Sequence, residues 1–414
     1  MRSTLVPLML LVPAVALAQK PDLPVTGKAD AHLASFDRLM TNFVKENGVP
    51  GAALAVTKNG RLVYARGFGY ADRDAKTPVD PHALFRIASV SKPFTSAAIM
   101  QLVERGKLRL DDKAFEILKL KPALEPGAQE DPRLAQITIL ELLQHRGGWD
   151  RDKSFDPMFR PAEIARVTGT KAPAEPKAII EYMLGKPLQF NPGEGYNYSN
   201  FGYCVLGRII EHVSGMTYEE YVRKEVLAPL GITAMQLGHS RLAERAKNEV
   251  HYYDGQNRSG RSVFPGGGTV PFPYGGWFIE AMDAHGGWIA SASDLVRFAS
   301  AFDNPAKCKI LKAGSIITMF SRPPNFQGKP EDSWYACGWD VVPSGPGRFN
   351  TWHGGLLDGT STILVRRFDG LCWAVLFNTD RNSKGEILAG KIDSLVHTAA
   401  DQVKQWPAGN QFNK

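Results

Sequence analysis

The sequence predicts an α/β fold of the α+β kind: an antiparallel sheet flanked by helices, built from both chain ends, with a mainly helical subdomain inserted between them. Two observations carry this. Each end of the chain combines one amphipathic helix with one β-hairpin, and the long interval between them reads as helical. At the N-terminal side, residues from about 30 to 46 place Leu33, Phe36, Leu39, Met40, Phe43 and Val44 on one stripe at helical spacing, with Gly48 as a stop. An apolar run over 52–57, the dipeptide Asn59-Gly60 and a second run over 62–65 then spell a hairpin. Asn and Gly tolerate the positive φ angles that a two-residue turn between right-twisted strands requires. At the other end, residues 360–367, the turn Asp369-Gly370 and residues 371–377 repeat the pattern, and a helix over about 385–405 closes the chain.

Within the interval, Thr138 with Glu141 and Thr217 with Glu220 have the spacing of capping boxes that open helices. Phe201, Val205, Leu206, Ile209, Ile210 and Val213 form a helical face ended by Gly215. From about 255 to 287 the composition shifts to Gly, Pro and aromatics, among them Phe264, Phe272, Tyr274, Trp277 and Phe278. A loop of that length is usually functional, and its aromatics favour packing over a cleft. The division this implies is 19–110 for the first part of the α/β unit, 111–280 for the helical subdomain with its aromatic loop, and 281–414 for the second part.

The bulk numbers narrow the function classes. A chain of 414 residues, 43% hydrophobic and 22% charged, has the composition of a soluble globular protein. Its net charge of +7 (49 Lys+Arg less 42 Asp+Glu) is spread thinly, with no basic block or stripe, so no nucleic-acid partner is expected. Arg2, the apolar run from Leu5 to Ala16 and the ending Ala16-Leu17-Ala18 have the order of a signal peptide, residues 1–18. The run is short and carries Pro7 and Pro13, so no stable membrane span is expected after cleavage, and the mature protein is expected to be exported, periplasmic or secreted. Cys204, Cys308, Cys337 and Cys372 allow three pairings that spacing does not choose between. Cys204 in an apolar helix and Cys372 in an apolar strand read as buried free thiols. No H-E-x-x-H and no close Cys pair is present, so neither a metal nor another cofactor is expected.

Three short strings carry the chemistry. Ser89-Val90-Ser91-Lys92 is the one S-x-x-K in the chain, and it precedes a helix with Phe94, Ala98, Leu102 and Val103 on one side. Pro93 belongs in a first turn, which puts Ser89 at or just before the helix start, where amide donors and the helix dipole face an oxyanion formed on its ester. Lys92 lies one turn on, so both side chains share a face, and a desolvated lysine loses basicity and can accept the serine proton. Tyr198-Ser199-Asn200 precedes a helix beginning near Phe201. Asn200 reads as its N-cap and as a group that orients Lys92 or a substrate carbonyl, and Tyr198 as the phenolate, or hydrogen-bonded phenol, that passes a proton to the leaving group, its pKa lowered by nearby Lys92. His353-Gly354-Gly355 lets a substrate lie against a strand edge, with the Leu356 amide as a second oxyanion donor and His353 touching an anionic or polar substrate group. Ser89 lacks the G-x-S-x-G elbow of α/β-hydrolases.

In order and spacing these strings resemble the serine beta-lactamase and penicillin-binding-protein superfamily, in the branch of class C beta-lactamases, D-Ala-D-Ala carboxypeptidases and family VIII carboxylesterases. The likeness extends to the stretch from Leu142 to Gly148, to Asn191-Pro192-Gly193, to the stretch from Gly286 to Leu295, and to Tyr335-Ala336-Cys337-Gly338-Trp339. The resemblance implies a beta-lactamase/transpeptidase-like fold with the site where the two subdomains meet. It also implies Ser89 as nucleophile, Lys92 and Tyr198 as the proton-transfer pair, and the Ser89 and Leu356 amides as oxyanion hole. Class C beta-lactamases usually carry Lys-Thr-Gly where this chain has His353-Gly354-Gly355, and Arg146 stands where the family often has Ser. Losing that lysine and threonine removes a cation and a hydroxyl that help hold a beta-lactam carboxylate. The expected activity is therefore that of an esterase or D-amino-acid peptidase, ahead of efficient beta-lactam hydrolysis. The expected partner is a small-molecule or peptide substrate, with cell-wall fragments among the candidates. The alternative is a relative of the same fold that penicillin acylates without turnover, a sensor or scaffold.

Overall fold

The structure, a computed structural model, describes residues 23–413. The stretch expected to be a signal peptide lies outside the described residues. A helix α1 (Ala34–Glu46) leads into the hairpin of β1 (Gly51–Lys58) and β2 (Arg61–Asp72). Asn59 and Gly60 make the turn with φ of 51° and 72°, both in the left-handed region expected of them. The helix α2 (Lys92–Glu104) follows, then a helical interval that includes α3 (Asn200–Ser214), then α4 (Ala292–Ser300). The chain ends with β3 (Asp340–Pro343), β4 (Phe349–Leu357), β5 (Thr360–Arg366), β6 (Leu371–Phe377) and α5 (Leu388–Asp401).

These strands form one nine-stranded antiparallel sheet in which β2, β1, β6, β5, β4 and β3 lie side by side, flanked by short edge strands. Its centre joins the two chain ends: β6 pairs with β1 in a register from Leu371↔Lys58 to Phe377↔Ala52. Every residue of β6 is buried because both faces of the sheet are covered. Trp373, Val375 and Phe377 point to the side packed by Phe36, Phe43, Ile392 and Val396 of α1 and α5. Cys372, Ala374 and Leu376 point to the opposite side, with Phe94 and Phe298 of α2 and α4. Phe377 stacks on Phe43 at 5.5 Å and is fully enclosed. Phe377→Ala is expected to cost about 3–5 kcal/mol of stability, read as a shift in the midpoint of denaturant unfolding.

Several boundaries differ from the expectations, each for a physical reason. β2 runs on to Asp72 because Gly67 and Gly69, weak strand formers, allow close approach: a Cβ on Gly67 would lie 2.2 Å from the Val79 carbonyl oxygen. Both capping boxes form, but the one at Thr217 opens only Tyr218–Tyr221 before the backbone widens into a π-helix over Val222–Leu227. The closing helix is shorter than expected, Leu388–Asp401. The Gly- and aromatic-rich stretch contains a small antiparallel pair, Ser259–Arg261 with Thr269–Pro271. It is tied down by Trp277, which stacks on Phe272 at 5.3 Å and donates from Nε1 to Asp358 at 2.6 Å. All four cysteines are free thiols, in agreement with the reading of Cys204 and Cys372. Among the described residues no helix is long and apolar enough to cross a membrane.

Candidate active site

Ser89 sits in a single 3-10 turn, Ala88–Ser91, that runs straight into α2, whose first turn accommodates Pro93. The turn is anchored from both sides. Phe85 and Arg86 pair with Ala290 and Ile289, and the Ile87 amide donates to the Trp288 carbonyl at 3.0 Å. Ala88 takes a φ of 44°, a left-handed conformation that a residue with a Cβ adopts only under constraint. The result is a half-buried Ser89 side chain on a rigid, wholly buried support.

Lys92 lies one turn on and is completely buried. Its Nζ donates to Ser89 Oγ at 3.1 Å, Asn200 Oδ1 at 2.8 Å and the His285 carbonyl at 3.1 Å. Burial pushes its pKa well below the ordinary lysine range; the half-buried Asp156 carboxylate opposes this and the Arg151 guanidinium adds to it. The structure thus places a buried lysine within hydrogen-bond reach of the serine, where the sequence expectation has it.

Asn200 does not cap α3. Ser199, in extended conformation, does so through Oγ, which accepts from the Gly202 amide at 3.1 Å. Asn200 becomes the first helical residue, and its amide bridges Lys92 to Asp156, donating from Nδ2 to Asp156 Oδ2 at 2.7 Å. That bond fixes which end of the amide faces the lysine. Asp156 in turn caps the short helix Pro157–Phe159 through the Met158 amide at 3.1 Å.

Tyr198 is brought to the same place. Its ring centroid is 4.6 Å from Lys92 Nζ and 5.1 Å from the Arg151 guanidinium, and the Ser89 side chain lies near enough to its hydroxyl to favour the ionised form. The expectation that Lys92 lowers the phenol pKa is corrected. Burial raises it far above 10 and the neighbouring Ser89 side chain offsets only part of that. A lysine itself driven toward the neutral amine supplies little positive charge, so the resting group is a phenol, not a phenolate.

His353 is also corrected. Its ring is buried, its Nδ1–H donates to the Gly354 carbonyl at 2.7 Å, and Nε2 accepts from the Tyr335 hydroxyl at 3.0 Å. Burial holds its pKa down to about 3, so it is a neutral spacer between Tyr335 and the strand, not a contact for an anion. Gly354, Gly355 and Leu356 lie within β4 rather than at its start. There β4 still pairs with β5, while its pairing with β3 has ended at Trp352. The freed edge lies against the Ser89 turn. A Cβ on Gly355 would fall 2.2 Å from the Ile87 carbonyl oxygen, so only glycine permits the approach. Leu356, 39% exposed, carries the edge outward.

Sequence reasoning missed His145, Arg151, Asp156, the His285 carbonyl and Tyr335 as parts of the site. His145, at a φ of 57°, accepts from the Ser199 amide at 3.2 Å and packs 4.3 Å from the Tyr198 ring and 4.4 Å from Tyr335. Burial first, then the nearby lysine, keeps it neutral. His145 and Tyr335 stand in stretches that carry the family likeness, and Asp156-Pro157 is a helix-start pair. Among the described residues two carboxylate-rich groups have metal-ligand spacing, His239 with Glu244 and Glu280, and Asp254 with Asp358 and Asp380. The second surrounds the Arg258 guanidinium, 2.7 Å from Asp254 and 3.5 Å from Asp380.

Residues 36–397 match the family described as Beta-lactamase. Penicillin-binding protein 4* of Bacillus subtilis (strain 168) is 29% identical over 324 residues, which is 77% of this chain and 65% of that protein. Protein flp of Staphylococcus aureus (strain N315) is 29% identical over 197 residues, 48% of this chain and 36% of its own length. The chain thus spans less than two thirds of these two relatives. Among solved structures, the octameric penicillin-binding protein homologue from Pyrococcus abyssi aligns with a TM-score of 0.68 at 26% identity, over 91% of this chain and 79% of that one. The D-amino acid amidase from Ochrobactrum anthropi SV3 shares the fold, with a TM-score of 0.67 at 22% identity over 91% and 99% of the two chains.

Proposed function

The chain belongs to the beta-lactamase family, and we propose that it is an exported serine hydrolase that cleaves an ester or amide through an acyl-enzyme on Ser89. The observation that carries this is the buried Lys92 amine 3.1 Å from Ser89 Oγ, with Asn200 and Tyr198 closing around it. Lys92 as the free amine takes the Ser89 proton while Oγ attacks the substrate carbonyl carbon. The resulting oxyanion is held by the Ser89 and Leu356 amides, at the helix tip and on the free edge of β4. As the tetrahedral centre collapses, the Tyr198 phenol gives its proton to the leaving group and recovers one from Lys92. Water, activated by the same pair, then releases the acid and restores Ser89.

The neutral, enclosed His353 offers no cation for the carboxylate of a beta-lactam, which favours simple esters, D-amino-acid amides and peptides as substrates. Intact-mass measurement after exposure to a fluorophosphonate, a D-Ala-D-Ala peptide and penicillin tests this, with one phosphonyl adduct on Ser89, formed with loss of fluoride, expected from the first. A burst of one acyl group per chain without steady state would assign the protein to the non-turnover branch.

The charges around Lys92 give a signed pH prediction. The rate rises with pH as Lys92 loses its proton, at a pH well below the ordinary lysine range. Arg151→Ala removes a charge that lowers the Lys92 pKa and is expected to move that limb to higher pH. Asp156→Asn removes one that raises it and is expected to move the limb to lower pH. The check is kcat/KM against pH for a p-nitrophenyl ester; shifts in the same direction would contradict Lys92 as the base.

A further inference from the structure

A cleft of about 410 Å³ opens beside Tyr198, lined by Tyr196, Tyr335, Trp334, Phe326, Arg146 and Asp340. Its wall packs against the candidate site, Tyr335 lying 6.1 Å from Tyr198 and 5.9 Å from Tyr196. Asp340 is a half-buried carboxylate at the end of β3, and among the described residues no side chain or amide donates a hydrogen bond or ion pair to it. Arg146, the cation nearest to hand in the lining, turns away: it donates to the Pro324 carbonyl at 2.7 Å and to the Gly193 carbonyl. Glu194 is exposed and accepts from Asn191 at 3.0 Å. The cleft therefore holds an uncommitted negative charge among aromatic faces, the environment that attracts an organic cation. That charge reaches the candidate site, since it acts on Tyr196, Tyr198 and Tyr335 alike.

We propose that this cleft is a subsite for a positively charged amine on the substrate, with Asp340 as its counter-ion and Tyr196, Tyr335 and Trp334 as its walls. The inference rests on the hydrolase reading for its meaning in turnover, and it narrows the substrate class to esters or amides carrying an ammonium group about one side chain from the scissile carbonyl. Burial lifts the Asp340 carboxyl to about 7, so preference for the amine weakens as the pH falls below that value. The charged groups around it are Arg146 and Glu194 in the lining, Arg151 against the Tyr198 ring at 5.1 Å and Arg322 against the Trp334 ring at 4.5 Å, while Tyr196 and Tyr335 stay neutral.

The test compares matched p-nitrophenyl and alkyl esters that differ only by a terminal ammonium, placed in the acyl part of one pair and the alcohol part of the other. In one pair the ratio of kcat/KM, charged over neutral, is expected to exceed one and to fall at least tenfold in Asp340→Asn. Turnover of both members with a ratio that Asp340→Asn leaves unmoved would overturn the subsite and leave the hydrolase intact. Calorimetry of benzylammonium against benzyl alcohol on the Ser89→Ala protein reads the subsite without turnover. Tighter ammonium binding that Asp340→Asn abolishes supports it even where no ester is cleaved, and equal binding of the two overturns it.

Discussion

Ser89→Ala is expected to abolish p-nitrophenyl ester hydrolysis, by a factor on the order of 10⁶ in kcat, with no change in fold. The side chain is half-buried, and its removal leaves the anchored turn in place, because the backbone bonds from Ile87 and Val90 and the bond from the Trp288 amide to Ser91 Oγ do not involve it. The variant should show the parent melting temperature, no adduct with a fluorophosphonate, and only the residual rate that oriented amides provide. Hydrolysis persisting at the parent rate in purified variant would place the chemistry elsewhere.

The second large effect is expected from Lys92→Met, which keeps the side-chain length and apolar stem but removes the amine. Loss of a general base costs about 10²- to 10⁴-fold, so kcat/KM should fall by that much while Ser89 remains available for slow acylation. The substitution also strips a donor from Asn200 Oδ1 and from the His285 carbonyl, and each orphaned acceptor costs about 1–3 kcal/mol. Partial relief comes from no longer burying an ionisable group. The diagnostic readout is the pH profile: the limb that Arg151 and Asp156 move in opposite directions in the parent should vanish in this variant. A profile that keeps the limb would assign it to another group.

Much of the scaffold could be read from the chain because its signals are local. Asn59-Gly60 determines a turn from two residues, and Thr138 with Glu141 determines a helix start from four. The continuous apolar run of β6 is ambiguous in isolation, yet its neighbouring Asp369-Gly370 turn identifies it as a strand. Boundaries failed where neighbouring residues compete for one job, as Ser199 and Asn200 do for the cap of α3. The site is a different matter. Ser89 and Lys92 are three residues apart, but Lys92 meets Asn200 across 108 residues and the His285 carbonyl across 193. No local pattern encodes such meetings. The misjudged pKa of Tyr198 and the misjudged exposure of His353 have the same origin, since both depend on which distant elements shut out water.

The register between β1 and β6 has a consequence for how the molecule comes into being. Lys58 meets Asp369 across 311 residues, so the N-terminal hairpin is synthesised long before the strand it closes on. A lone hairpin is marginal in water, and contacts of such sequence separation are slow to form. Growth of the polypeptide and acquisition of its tertiary structure are thereby separated in time. The ribosome must deliver nearly the whole chain before the central strands can zip together.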